Sequence, residues 1–206
     1  RRALHTTLQQ RNGNIRVFCR GRPAAADEAT AIEHSEANKL ALAYGASDPH
    51  VFGFDKVFQP SEPQQAVFAE VDGLVQSALD GYKVCIFAYG QTGSGKTFTM
   101  QGGTEPETWG LIPRALSKIL DTSRQMSADG WTWSPQATFL EIYNESLRDL
   151  LHDGKGPQPS YAIKHDEAWG SCVANMARVE VDSMEQINAL MKRAARARAV
   201  GCPAMH

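Results

Sequence analysis

The sequence has few cysteines and histidines, no long apolar run and almost no net charge. Its 206 residues include four cysteines and six histidines, and the formal net charge is −2 at pH 7. The cysteines are widely spaced with no C-x-x-C pair, and the histidines show no paired-ligand spacing, which argues against a disulfide framework and a zinc site. The longest apolar run, Val84–Tyr89, has six residues, too few for a membrane span or a secretory signal. We therefore expect a cytoplasmic protein with reduced thiols, no membrane association and no general preference for nucleic acid.

One glycine-rich segment carries the strongest functional signal. It matches G-x-x-x-x-G-K-T, the pattern of a phosphate-binding P-loop. Its glycines allow a tight turn in which successive backbone N–H groups point at an anion. In this pattern Lys96 reaches the β- and γ-phosphates, and the Thr97 hydroxyl ligates Mg²⁺. The predicted ATP- or GTP-binding loop consists of Gly90, Gln91, Thr92, Gly93, Ser94, Gly95, Lys96 and Thr97.

The residues on either side of this loop favour the same interpretation. Val84–Ala88 is an unbroken apolar run and predicts a strand that is buried on both faces. No helix breaker follows Lys96 until Gly102, so a helix is expected to begin there with its positive end at the phosphates. Strand, glycine loop and helix are the arrangement that a P-loop requires.

The remaining predicted elements alternate between strands and helices. This order predicts an α/β P-loop NTPase sandwich in which a central mixed β-sheet is flanked by helices. Residues 24–48 are alanine-rich and acidic and predict a loosely ordered insertion with a short strand or two. The other strands are predicted before Pro23, over 52–58, over 138–145 and in parts of 161–181. The other helices are predicted over 61–80, from Pro113 onward and after a Ser183–Gln186 capping box.

A nucleotide hydrolase needs more than its P-loop. A carboxylate must complete the Mg²⁺ shell, and another group must orient the attacking water. Glu141 lies in the middle of a predicted strand, so we interpret it as a structural carboxylate. Asp182 suits the start of the last helix better. We therefore expect residues 1–206 on their own not to turn over ATP.

Several segments together resemble kinesin motor domains. They occur in the order of that family and cover residues 14–206 almost continuously. The resemblance implies an ATP-hydrolysing microtubule motor that uses Mg²⁺, of which this chain is the N-terminal portion, ending before the switch regions. The segments are NIRVFCRGRP at 14–23, FDKVF at 54–58, AYGQTGSGKTFTM at 88–100, GLIPRA at 110–115 and FLEIYNE at 139–145.

The resemblance also implies an adenine pocket. Arg20, Arg22 and Pro23 match the R-x-R-P segment that lines this pocket in kinesins, and Phe98 matches the aromatic position that packs against adenine. Without the resemblance, the arginines equally suit a solvated strand end and the phenylalanine suits a core position. The loop 104–109 matches a kinesin insertion that modulates nucleotide handling, and otherwise suits an ordinary surface loop.

The start of the chain resembles kinesins with a C-terminal motor. Leu4 and Leu8 lie one helical turn apart just before the first strand, as in the neck helix of that subgroup. The resemblance implies a neck at 1–13, which ends a coiled coil, followed by the motor at 14–206. A dimer and movement toward microtubule minus ends would follow. On their own, Leu4 and Leu8 are too few to establish a coiled coil, and they also fit a helix that packs on the core.

Microtubule contact rests on a weaker match. Lys164, His165 and Arg178 correspond to the earlier microtubule-contact loop of kinesins, although scattered basic residues also suit a solvated face. The resemblance implies tubulin as the partner and the cytoskeleton as the location, with the spindle or axoneme as specific sites. Pro203 and His206 stand where kinesins usually carry threonine and asparagine. These departures keep open a kinesin-like scaffold that binds nucleotide or microtubules without catalysis.

Overall fold

The computed structural model describes residues 13, 15–24, 32–45, 47–153, 159–167 and 170–201. The chain divides into two compact units, residues 1–119 and 120–206, and each is described by itself. The predicted neck at 1–13 falls almost wholly outside the described residues, as do Pro203 and His206.

The first unit contains two small sheets. Strands β1 (Phe18–Arg20) and β5 (Lys56–Phe58) are parallel, with Cys19 opposite Val57. Strands β2 (Ile32–Ser35), β3 (Lys39–Tyr44) and β4 (Ser47–Gly53) form an antiparallel sheet.

One prediction for this region was confirmed and another was wrong. Of residues 24–48, expected to contain a short strand or two, the described part holds β2, β3 and the start of β4. The strand expected over 52–58 is divided, because the chain turns between Gly53 and Lys56. At this turn the N–H of Val17 donates to Asp55 Oδ2 over 2.7 Å, and the N–H of Asp55 donates to the Val17 carbonyl over 3.0 Å.

Helix α1 (Gln64–Leu79) follows Pro63, whose extended backbone (φ −74°, ψ 165°) starts the helix where the sequence predicted it. Valines at helical spacing face inward, as the apolar periodicity indicated. Val67 and Val71 pack with Phe58 and Leu111 in a buried cluster. This cluster anchors α1 beside the end of β1, where the predicted adenine-pocket residues lie.

The segment 84–88 departs from its prediction. It has no regular secondary structure and pairs with no strand of the described residues, and its side chains alternate between half-buried and exposed. Ile86 packs against the core, whereas the side chain of Phe87 is 82% exposed. A strand that is buried on both faces needs neighbouring strands and other elements packed against each face, and this segment has packing on one face only.

Helix α2 (Lys96–Met100) begins directly after the glycine-rich loop, as predicted. A 3₁₀ turn (Pro106–Thr108) then leads to helix α3 (Leu111–Ala128), which starts two residues before Pro113. Proline is tolerated there because the first turn of a helix has no partner for its N–H groups.

The described residues of the second unit contain three two-stranded antiparallel sheets, the C-terminal part of α3 and one further helix. Strand β7 (Leu140–Tyr143) pairs with β8 (Ser146–Asp149) through a tight turn in which Asn144 and Glu145 have φ values of 46° and 60°. Strand β6 (Gln136–Ala137) pairs with β11 (Val179–Glu180), and β9 (Ile163–Asp166) pairs with β10 (Gly170–Val173). The described strands thus form five small sheets rather than one continuous sheet.

Helix α4 (Met184–Gly201) closes this unit. Its predicted capping box is present in a modified form. The N–H of Gln186 donates to Ser183 Oγ over 3.4 Å, while Gln186 Oε1 accepts from the N–H of Asp182 over 3.1 Å. Ala194 of α4 packs on Leu150 and Leu151 in the core of the unit.

Candidate functional site

The glycine-rich loop connects the segment 84–88 with α2. Gly90 has a φ of 155°, which side chains rarely allow, and a Cβ at this position would lie 2.5 Å from Ser94 Oγ, so a side chain there would also require Ser94 to move. Gly95 precedes the first helical residue with a φ of 98°, a left-handed conformation that glycine adopts without strain. Both glycines are therefore required by the local backbone.

The ammonium group of Lys96 lies inside this loop. Its Nζ donates to the carbonyl of Gly90 over 2.8 Å and to that of Gln91 over 2.7 Å. An ammonium group has three donors, so these bonds leave one donor for an anion. Thr97, the next residue of α2, is exposed and offers its hydroxyl oxygen at the start of the helix.

A cavity of about 290 Å³ lies beside the loop. All four residues assigned to the adenine pocket contribute to it, together with the last two residues of the loop before Lys96. Gly90, Gln91, Thr92, Gly93, Lys96 and Thr97 do not line this cavity. The predicted residues that do line it are Arg20, Arg22, Pro23, Ser94, Gly95 and Phe98.

Arg20 contacts two helices that border the cavity. Its Nη1 donates to Gln64 Oε1 over 2.8 Å and to Thr99 Oγ1 over 3.0 Å, and its guanidinium carbon lies 5.3 Å from the ring centroid of Phe98. Burial lowers the pKa of Arg20, and the negative charge of Glu62 opposes this change. The guanidinium nevertheless stays charged at neutral pH, because arginine is not deprotonated in proteins under these conditions. It can therefore attract an anionic or π-rich ligand.

Phe98 presents its ring to the cavity and to solvent. Its side chain is 53% exposed, so the packing role that would explain an ordinary core phenylalanine does not apply here. An exposed ring that faces a guanidinium group can stack on a planar ligand.

A short loop forms another wall of the cavity. Glu107 and Thr108 line it, and both belong to the loop 104–109 that matches a kinesin insertion involved in nucleotide handling. Arg114 holds the loop by donating to the carbonyls of Pro106, Glu107 and Trp109 over 3.1, 3.0 and 2.8 Å.

Sequence reasoning missed several cavity residues, and Gln64 is the most informative. The segment around Pro63 was interpreted only as a helix start. A polar residue in a first turn gives no sign that its side chain will be buried, because that depends on which element packs over it. The cavity residues missed in this way are Pro60, Glu62, Pro63, Gln64 and Thr99.

Gly21 explains part of the cavity's shape. A Cβ at this position would lie 3.2 Å from Pro60 Cγ and 3.3 Å from Pro60 Cδ, tighter than ordinary contact. The absence of a side chain at Gly21 therefore allows the chain just after β1 to approach Pro60 closely.

The residues assigned to other roles lie in the second unit. Glu141 forms an ion pair across the β7–β8 hairpin, with Arg148 Nη1 3.3 Å from its Oε2, which is consistent with a structural carboxylate. Lys164 and His165 on β9 and Arg178 before β11 are exposed. Among the residues that the structure describes, no three histidine, cysteine or acidic side chains are grouped to hold a metal ion. Nor does any helix of this part of the chain combine the length and apolar character that crossing a bilayer requires.

The glycine loop, its lysine and the adjoining cavity define a P-loop protein of the nucleotide-binding class. A sequence model of the kinesin motor domain matches residues 9–206, and the chain belongs to this family.

Individual relatives agree with the family assignment. Kinesin-like protein KIN-14N of Oryza sativa subsp. japonica is 46% identical over 212 residues, which cover 98% of this chain and 28% of that protein. Kinesin-like protein KIFC1 of Rattus norvegicus is 43% identical over 230 residues, which cover 97% of this chain and 33% of that protein. The chain thus spans about a third or less of the length of these curated relatives.

Solved structures show the same fold. One contains the C-terminal motor and motor homology domain of Kar3Vik1 fused to a synthetic heterodimeric coiled coil. It matches with a TM-score of 0.83 and 38% identity over 97% of this chain and 54% of that one. A fast kinesin, described for its ATPase mechanism and interactions with microtubules, matches with a TM-score of 0.80 and 29% identity over 93% of this chain and 55% of that one. These neighbours confirm the predicted α/β P-loop motor fold.

Proposed function

We propose that this chain is the nucleotide-binding portion of an ATP-driven microtubule motor. The observation that supports this most strongly is the continuity of the P-loop with a cavity that contains Arg20, Arg22, Pro23 and Phe98. The loop supplies backbone donors and the Lys96 ammonium for phosphates. The cavity supplies an exposed ring beside a guanidinium group for a planar base. One ligand with a triphosphate and a base would occupy both parts.

The residues present also fit Mg²⁺ as a partner of the nucleotide. Thr97 offers a hard hydroxyl oxygen next to Lys96, which is the kind of ligand that Mg²⁺ prefers. The described residues supply no cluster of three metal-binding side chains, which suits a metal that is held largely by the phosphates. When bound with ATP, Mg²⁺ would neutralise charge that develops on the phosphates.

We further propose a microtubule partner and a cytoskeletal location. The likeness to a kinesin described for its interactions with microtubules supports this. Lys164, His165 and Arg178 are exposed and could meet an acidic filament surface. The likeness to the C-terminal motor of Kar3Vik1 supports a neck at residues 1–13, dimerisation through a coiled coil and minus-end-directed movement.

A gliding assay on polarity-marked microtubules tests this proposal. It requires a dimer of the full-length protein, and we expect ATP-dependent movement toward the minus end. Plus-end-directed movement would contradict the subgroup while leaving the motor activity intact. Microtubule binding without any ATP-dependent gliding would contradict the motor and favour the non-catalytic scaffold.

A further inference from the structure

Gln64 is a buried polar residue at the point where three elements meet. Its exposed fraction is 4%, which is unusual for a glutamine in the first turn of a helix. Burying an amide is costly unless both of its ends find partners. The position of Gln64 therefore needs an explanation that the helix alone does not provide.

Both ends of the Gln64 amide have a partner. Its Oε1 accepts from Arg20 Nη1 over 2.8 Å, and its Nε2 donates to the carbonyl of Phe98 over 2.6 Å. The reverse orientation would set a donor against the guanidinium and an acceptor against the carbonyl. The two partners therefore fix the amide, and the amide links β1, α1 and α2.

The partners of Gln64 are also two walls of the cavity. Arg20 lies over the Phe98 ring and donates a second hydrogen bond to Thr99 of the same helix. Gln64 thus holds the guanidinium in position from one side while it ties down the backbone that carries the ring. Binding of a planar ligand between or beside the guanidinium and the ring would require both groups to keep these positions.

We propose that Gln64 is the positioning residue for the base side of the nucleotide site. It fixes Arg20 against Phe98, so it sets the part of the affinity that depends on the nucleobase rather than on the phosphates. This inference rests on the proposed nucleotide-binding function. Phosphate binding by Lys96 does not involve the Gln64 amide, whose side-chain bonds go to Arg20 and Phe98.

The test compares a ligand that has a base with one that lacks it. In the full-length protein, Gln64→Met keeps the side-chain length but removes both polar ends. We expect it to weaken binding of Mg-ATP by about tenfold or more, the effect of losing a hydrogen bond to a charged group. Binding of inorganic tripolyphosphate, with the same metal, should change by no more than about twofold, which is about a third of the free energy of a tenfold change.

Ser77→Ala is the matched control. Ser77 is also a buried polar residue of α1, with 7% exposure, and its hydroxyl donates to the Gly73 carbonyl over 3.1 Å. Its substitution should leave the affinities for both ligands unchanged. Thermal unfolding of each variant separates loss of the site from loss of the fold.

A second variant keeps the inference testable if Gln64→Met does not fold. Gln64→Glu retains an acceptor for Arg20 but cannot donate to the Phe98 carbonyl, so it should lose less ATP affinity than Gln64→Met and still spare tripolyphosphate. Equal losses for ATP and tripolyphosphate in the folded variant would overturn the inference, as would an unchanged affinity for ATP. Failure of the unaltered protein to bind either ligand would instead overturn the proposed function, and this inference with it.

Discussion

Lys96 Nζ lies 2.8 Å from the carbonyl oxygen of Gly90. The first residue of the P-loop thus holds the ammonium group of the lysine near the end of the same loop. The Gln91 carbonyl is a second acceptor at 2.7 Å. Neutral carbonyls are weaker partners for an ammonium group than phosphate oxygens, which form charge-assisted hydrogen bonds. We infer that the loop keeps its lysine in place for an exchange of carbonyls for phosphates.

This relationship predicts the effect of removing the lysine. Lys96→Ala should weaken ATP binding by about 1.5–3 kcal/mol, because it removes a charge-assisted contact to phosphate. Equilibrium titration with a fluorescent ATP analogue measures the change. Lys118→Ala is the control, since Lys118 Nζ pairs with Asp72 Oδ1 over 2.7 Å and does not line the cavity. Equal affinities for the Lys96 variant and the unaltered protein would refute this role.

Arg114 should control the order of the loop at 102–110. Arg114→Ala removes the donors to three loop carbonyls, so backbone N–H groups in the loop should exchange with solvent about five- to thirtyfold faster, the effect of losing about one to two kcal/mol of local stability. Hydrogen exchange measured by mass spectrometry gives the rates. Exchange in β2–β4 should stay the same. Unchanged exchange in the loop would show that other contacts hold it.

The elements predicted well from the sequence are those whose signals are local. The local pattern over 61–80 predicted α1, and the absence of a helix breaker between Lys96 and Gly102 predicted the start of α2. The P-loop lysine was found because glycine positions and lysine spacing are fixed by phosphate geometry within eight residues. In these cases the information lies within one or two helical turns of sequence.

The failures have a different physical origin. The apolar run at 84–88 predicted a buried strand, but apolarity does not show which neighbours will pair with it. The contacts of Gln64 join residues 34 and 44 positions apart in the sequence, and no periodicity reports such a meeting. Contacts of this range depend on how the elements pack.

Asp149 is predicted to be a strong determinant of stability in the second unit. It is 4% exposed, and its carboxylate accepts from the N–H of Leu151 over 2.8 Å and from the N–H of Ala177 over 2.7 Å. Asp149→Ala leaves both donors without this acceptor and should lower the free energy of unfolding by about 2–4 kcal/mol. Urea denaturation measures the loss.

Asp121→Ala provides the comparison for Asp149. Asp121 forms an exposed ion pair with Arg124 at 3.2 Å, and such pairs contribute less than about 1 kcal/mol. Similar losses for the two variants would contradict the assigned role of Asp149.

Cys19 should react slowly with alkylating agents. Burial raises the pKa of its thiol, so less of the reactive thiolate is present at any pH below that pKa. Its rate of reaction with iodoacetamide should therefore rise to half of its maximum at a higher pH than for a free thiol, whose pKa is about 8.5. Mass spectrometry of the labelled peptides gives the rate, and the same thiol in denaturing urea is the control. Identical pH profiles in the two conditions would rule out the raised pKa.

Microtubule-stimulated ATP hydrolysis by the full-length protein tests the central claim most directly. Steady-state phosphate release should increase with microtubule concentration in the unaltered protein. In Lys96→Ala it should fall to the background seen without enzyme, because the phosphates lose their lysine contact. The claim would be contradicted by phosphate release that is equal in the two proteins, or that does not respond to microtubules while ATP is bound.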